Sequence, residues 1–156
     1  MRTASLLPAL VLLGAIAWVP SRPVLQAQDT SLQAQELSLQ DQAIRFAQAW
    51  VNGEGKRLEV MMAPQGIRLH LQGEEHLSIP PRQAGASLLA FLERYEGGEA
   101  EVFRVSHVGG DASRAFTEIR WGCRVSGTAE FVTFTLFVAF ARTETGWMVT
   151  EIRILP

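Results

Sequence analysis

The chain has 156 residues, 47% of them apolar and 19% charged, and a formal net charge of −2. That length provides for one domain and not comfortably two. The mild acidity and the lack of any Lys/Arg run exclude a nucleic-acid surface, which needs clustered positive charge, and the single Cys123 excludes an intramolecular disulfide.

At the start of the chain, Arg2 precedes an apolar stretch from Leu6 to Val19, followed by Pro20, Pro23 and the small residue Ala27. This is the pattern of a secretory signal peptide, residues 1–27, cut after Leu25-Gln26-Ala27. The stretch falls short of the about 20 apolar residues that a membrane helix requires. A cleaved leader is therefore expected in preference to an anchor, leaving a secreted or periplasmic protein with no stable membrane span. No cysteine lies near the cut to carry a lipid. Removing residues 1–27 takes away Arg2 and Arg22 and no acid, which leaves 12 basic and 16 acidic side chains. An exported domain of residues 38–156 without a disulfide must be held by its core, and a chain of this size buries roughly two-thirds of its unfolded surface.

Residues 28–37, QDTSLQAQEL, are polar and weakly periodic and predict a flexible lead-in. Ser38 stands three residues before Asp41, the capping-box spacing that starts a helix. Ala43, Ile44, Ala47, Trp50 and Val51 recur at helical steps on one face, and Asn52-Gly53 ends the run. A short helix follows over 56–62, stopped by Pro64. In IRLHLQG, Ile67, Leu69 and Leu71 alternate with Arg68 and His70, the signature of a half-buried strand. Pro80-Pro81 opens a further helix with Ala84, Leu88, Leu89, Phe91, Leu92 and Tyr95 as its apolar stripe and Gly97-Gly98 as its end. Gly85 inside that stripe reads equally as a close backbone approach or as a tolerated glycine.

The last 57 residues form four strand-length segments cut by glycine turns. Their connections, GGDAS, SGT and TETG, are of hairpin length and favour antiparallel pairing. A period of two sorts their residues onto faces. Ile119, Trp121, Cys123 and Val125 share one face with Val132, Phe134, Leu136, Val138 and Phe140, and with Met148, Ile152 and Ile154. Phe116, Glu118, Arg120, Arg124, Phe131, Phe137, Trp147, Val149, Glu151 and Arg153 fall on the other. So many large apolar groups among charges suit a face covered by a partner. Phe116, Glu118, Arg120, Phe137, Trp147, Glu151 and Arg153 are the expected dimer face. Cross-strand pairs that merely stabilise a monomer's sheet are the competing reading.

The order helix, short helix, strand, helix and long antiparallel meander resembles the nuclear transport factor 2-like superfamily, the α+β cone shared with ketosteroid isomerase and SnoaL-type proteins. FAQAWVNGEGKRLEVMMAPQGIRL is similar to that superfamily's common opening: a Trp-bearing first helix, a Gly-Glu turn, a pocket helix and a Pro-x-Gly lead into the first strand. The tail from Phe103 through HVGGDASRAF to WMVTEIRILP resembles small exported bacterial members. The resemblance spans Leu37 to Pro156. It implies an α+β fold whose curved, mixed, mainly antiparallel sheet wraps around N-terminal helices, and a homodimer formed through the sheet.

Enzymes of that superfamily place an Asp, His or Tyr set inside the cone. The position after Pro64, often acidic in related sequences, is Gln65 here, and only His107, by parity with Phe103 and Val105, and Tyr95 bring polar atoms inward. His107 can titrate near neutrality, but no carboxylate partner can be named for it, so no catalytic residue is assigned. Trp50, Met61, Met62, Tyr95, Phe103, His107 and Trp121 form the candidate lining of an interior pocket for a small apolar ligand. His70 and His76, with Glu74 and Glu75 between them, lack the paired spacing of a metal site and read as a solvated loop. Cys123 reads as a small buried hydrophobe, and Gly109-Gly110-Asp111 as a turn. No metal and no cofactor is expected. The sequence therefore predicts an exported, non-catalytic domain, dimeric, binding a small apolar ligand or a protein partner. The alternative is an isomerase, dehydratase or cyclase-like enzyme using His107 and Tyr95.

Overall fold

The computed structural model of the protein describes the backbone of residues 24–156 and the side chains of residues 38–156. Most of the expected leader lies outside the described residues. Helix α1 spans Val24–Val51, so it starts well before Ser38, and residues 28–37 continue it instead of forming a lead-in of their own. Glutamine, alanine, leucine and glutamate all favour a helix, and neither glycine nor proline interrupts the segment. Its buried stripe is Leu39, Ala43, Phe46, Ala47 and Trp50. Ile44, expected on that stripe, is 39% exposed, because one residue on from Ala43 turns the side chain about 100° away.

Helix α2 spans Gly55–Met61 and α3 spans Pro81–Leu92, with Pro80 at its N-cap. Gly85 faces α2, where a Cβ would lie 3.4 Å from the Gly55 carbonyl oxygen, ordinary van der Waals contact, so the crossing tolerates the glycine and does not require it.

The strands are β1 (Ile67–Leu71), β2 (Glu74–Ile79), β3 (Tyr95–Val108), β4 (Asp111–Val125), β5 (Phe131–Thr143) and β6 (Gly146–Leu155). They form one open sheet in the order β2-β1-β6-β5-β4-β3. All neighbours are antiparallel except β1 and β6. The expected α+β class with a mixed, mainly antiparallel sheet is what the chain adopts. Strand β2 replaces the expected solvated loop around His76, paired back onto β1 through Gln72-Gly73. Helix α3 ends at Leu92, so Tyr95 opens β3 and is not part of the helix. Gly97-Gly98 forms an irregularity inside β3, between Glu96 and Glu99. There Gly98 adopts φ 106° and packs so tightly that a Cβ would run into the carbonyl oxygen of Gly122.

Two bulges decide which side chains face the helices. In β3 the register shifts between Val102, opposite Ile119, and Arg104, opposite Glu118. Phe103 is the extra residue, and a bulge residue leaves the parity of its strand reversed beyond it. Val102 and Val105 therefore both pack on the core, while Phe103, expected inward, is 52% exposed. In β6, Ala139 faces Glu151 and Phe140 faces Val149, which leaves Thr150 as the extra residue. Trp147, Val149, Ile152 and Ile154 are consequently all buried. Trp147 and Val149, expected on the outer face, lie in the core, and Met148, expected inward, is only half-buried.

Helices α1 and α3 cover the inner face of the sheet, and the Gln42 side-chain amide donates to the Trp147 carbonyl at 3.1 Å, fastening α1 to β6. Among the described residues no helix is long and apolar enough to cross a membrane.

Candidate functional site

The space between helices and sheet is occupied by aromatic side chains that pack on one another. Trp50 stands edge-on to Trp121 with ring centroids 5.6 Å apart, Trp121 stacks on Phe134 at 5.4 Å, and Phe91 and Tyr95 close the cluster at 5.2 Å. Offset and edge-to-face contacts of this kind add stabilisation beyond the area they bury. Of the expected pocket lining, Trp50, Met61, Met62 and Trp121 are buried in this core. Tyr95 stands at its margin, where its hydroxyl accepts a hydrogen bond from the Gln72 amide at 2.9 Å. Phe103 is on the opposite face of the sheet.

His107 does face inward, with its ring 5.8 Å from that of Trp147 and its Nδ1 buried without a partner among the described residues. It is not brought to Tyr95. The two residues occupy opposite ends of β3, separated by on the order of 35 Å at the usual strand rise. No proton can pass directly between them. Cys123 is wholly buried on the inner face, and burial pushes its thiol up to about 11, which suppresses the nucleophilic thiolate. His70 and His76 are engaged by carboxylates. His70 Nε2 lies 3.6 Å from Glu151 Oε1 and 3.8 Å from Glu75 Oε1, and His76 Nε2 lies 3.7 Å from Glu74 Oε2.

The outer face of the sheet is different in kind. Reading across it from β6 to β3, Arg153 lies opposite Phe137, Phe137 opposite Glu118 and Glu118 opposite Arg104. Arg120 lies opposite Glu101, yet its guanidinium turns instead to the ring of Phe103, 4.8 Å from the centroid. Phe131 is 68% exposed and its ring lies across Gly122, where a Cβ would meet it at 3.2 Å. Beside Phe131 runs a groove of about 700 Å³ bordered by Glu99, Glu101, Arg120 and Thr133. Glu151 anchors the other end of the face, 3.4 Å from Arg68 Nη2 and 3.3 Å from Arg153 Nη2.

Of the expected dimer face, Phe116, Glu118, Arg120, Phe137, Glu151 and Arg153 lie together on this surface, and Trp147 does not. In its place the structure adds Phe103 and Phe131. Strict alternation already places Phe131 on the same face as Phe137. Phe103 was hidden by the bulge, although Ala100, Val102, Val105 and His107 carry a signal of it: their steps of two, three and two cannot share a face unless one residue is extra.

No protein-family model and no curated protein sequence matches the chain. Solved structures do share its fold. A protein from Kribbella flavida superposes with a TM-score of 0.63 at 16% identity, covering 78% of this chain and 90% of that one. A hypothetical protein with a ketosteroid isomerase-like fold from Catenulispora acidiphila, in complex with trimethylamine, gives 0.58 at 12%, covering 74% and 84%. A DUF4783 family protein from Bacteroides ovatus gives 0.56 at 15%, covering 70% and 90%. The chain therefore has the nuclear transport factor 2-like, or cystatin-like, fold, and at these identities the likeness speaks for fold alone.

Proposed function

We propose that this protein is an exported, non-catalytic domain that works by binding, with the outer face of its sheet as the docking surface and a second copy of the chain as the partner. The observation that carries this reading is that Phe103, Phe116, Phe131 and Phe137 share one sheet face, interleaved with Glu118, Arg120 and Arg153. Large aromatics interspersed with charges on a sheet face are surface that a protein partner can cover, and a stable interface covers about 800 Å² on each partner. The non-catalytic reading is supported by the separation of Tyr95 from His107 and by the protonated, buried Cys123.

Size-exclusion chromatography with light scattering on residues 28–156 tests it. Twice the chain mass is expected for the wild type, and the single mass for Phe137→Asp with unchanged circular dichroism. A wild type that elutes as a monomer at high concentration overturns the reading. Export is tested separately, by N-terminal sequencing of protein recovered outside the cytoplasm, which should begin at Gln28.

A second reading, a small and mostly apolar ligand that carries a hydrogen-bond acceptor into the aromatic interior, is favoured by the indole N–H groups of Trp50 and Trp121, buried without a partner among the described residues. The fold neighbour that holds trimethylamine lends it support. A shift in melting temperature on adding trimethylamine, lost in Trp121→Phe, would favour this reading. No shift with trimethylamine or with a set of small apolar amines and alcohols would remove it.

A further inference from the structure

We propose that the groove between α3 and the β1–β2 hairpin is a binding site for a small aromatic monocarboxylate, with Arg94 as its anchor. This site is distinct from the outer sheet face and does not rest on dimerisation. The groove has a volume of about 450 Å³, within the range of small-molecule sites. Its lining is more polar than apolar: Gln72, Glu74, His76, Ser87 and Arg94 surround small apolar patches from Leu71, Ala90 and Phe91.

Arg94 is set for this task by where its guanidinium rests. It lies 4.9 Å from the centroid of Phe91 and 5.9 Å from that of Tyr95. A guanidinium held over a ring by its positive charge keeps N–H donors that can meet a carboxylate. No carboxylate of the described residues comes within ion-pair distance of it, in contrast to Arg57, Arg68 and Arg153, each of which holds a glutamate. The rings also restrict the side chain before any ligand arrives, so less conformational freedom is lost on binding than for a solvated arginine.

The opposite wall is fixed through the same tyrosine. Gln72 adopts φ 44°, a left-handed conformation that is strained for a residue with a Cβ. It is held there while its amide nitrogen donates to the Tyr95 hydroxyl. That hydrogen bond ties the hairpin turn to the ring that supports Arg94, so both walls of the groove are referred to one rigid residue.

The chemistry of the lining narrows the ligand. A small apolar body suits the surface of Leu71 and Ala90 beside the buried ring that carries Arg94. A single negative charge suits one guanidinium, with the Ser87 hydroxyl as a further donor. Glu74 on the rim opposes a second negative charge, which disfavours a phosphate or a dicarboxylate.

Benzoate is the probe. In ¹H–¹⁵N correlation spectra of residues 28–156, it is expected to give saturable shifts at the Gln72 side chain, Ser87 and Arg94, whereas the neutral isostere benzamide and inorganic phosphate give none. Arg94→Gln should weaken benzoate by about tenfold or more, and Arg94→Lys, which keeps the charge but not the fork, by severalfold. Phe137→Asp should leave benzoate binding unchanged, which separates this site from the outer face. The proposal is overturned if benzoate does not saturate, if benzamide or phosphate binds as well, or if Arg94→Gln with unaltered circular dichroism binds benzoate as the wild type does.

Discussion

On β3 through β6 the two faces of the sheet are written residue by residue into the same strands, yet they carry opposite kinds of surface. The inner face is continuous and apolar, from Val102 and Ile119 through Leu136 to Ile154, and is closed by Trp50, Phe91 and the other rings. The outer face sets Phe103, Phe116, Phe131 and Phe137 among arginines and glutamates. The inner face thus has its partner within the chain, and the outer face is the one with aromatic surface still to bury. The docking surface is proposed on the outer face for that reason.

The contrast can be broken most forcefully at the β6 bulge. Deleting Thr150 removes the extra residue and returns Trp147 and Val149 to the outer face. The loss of a buried tryptophan and a buried valine should destabilise the domain by on the order of 5 kcal/mol. The urea midpoint should fall steeply, and the fluorescence of the folded fraction should move to longer wavelength as Trp147 meets water. A stable deletion variant with unchanged emission would show that the bulge does not set the inner face.

An intermediate effect tests the dryness of that inner face. Burial raises the Cys123 thiol from 9.0 to about 11, so the folded protein keeps a proton that the unfolded chain has lost at intermediate pH. The corresponding stability is complete below pH 9 and is lost as pH rises through about 11, an effect on the order of 2 kcal/mol. The difference in urea midpoint between wild type and Cys123→Ala should therefore shrink between those limits. A difference independent of pH would mean that the thiol is not in a dry environment.

The smallest effect is expected on the outer face. Phe103→Ala removes an exposed ring and its contact with the Arg120 guanidinium, worth about 0.5–1 kcal/mol at an exposed site. Thermal stability of the isolated subunit should barely change, while self-association measured by light scattering should weaken. A large loss of subunit stability would place Phe103 among the core residues after all.

Much of this architecture could be read in advance. The alternation in β1, β4 and β5 identified their buried sides correctly, and Pro80-Pro81 marked the start of α3. The resemblance around FAQAWVNGEGKRLEV pointed to the right fold. The candidate site was legible in part: Phe116, Glu118, Arg120, Phe137, Glu151 and Arg153 lie where parity put them. The failures share a cause. Trp147, Val149, Met148 and Phe103 were misplaced because a period of two holds only while each residue has a partner across the ladder, and one unpaired residue reverses everything beyond it. Tyr95 was misplaced because an aromatic at helical spacing does not reveal that the helix has already ended at Leu92.

The sequence by itself determined the buried sides of β1, β4 and β5, since side-chain alternation is a local property of an extended chain and burial follows from the apolar character of each set. Only the tertiary structure decided where the alternation breaks, because a bulge exists solely as a mismatch between two strands. It also decided that Tyr95 and His107 stand at opposite ends of β3, and that Arg94, Gln72 and Tyr95, distant in part along the chain, meet at one groove. Those are relations between segments, and they are fixed by pairing and packing that no single stretch of sequence contains.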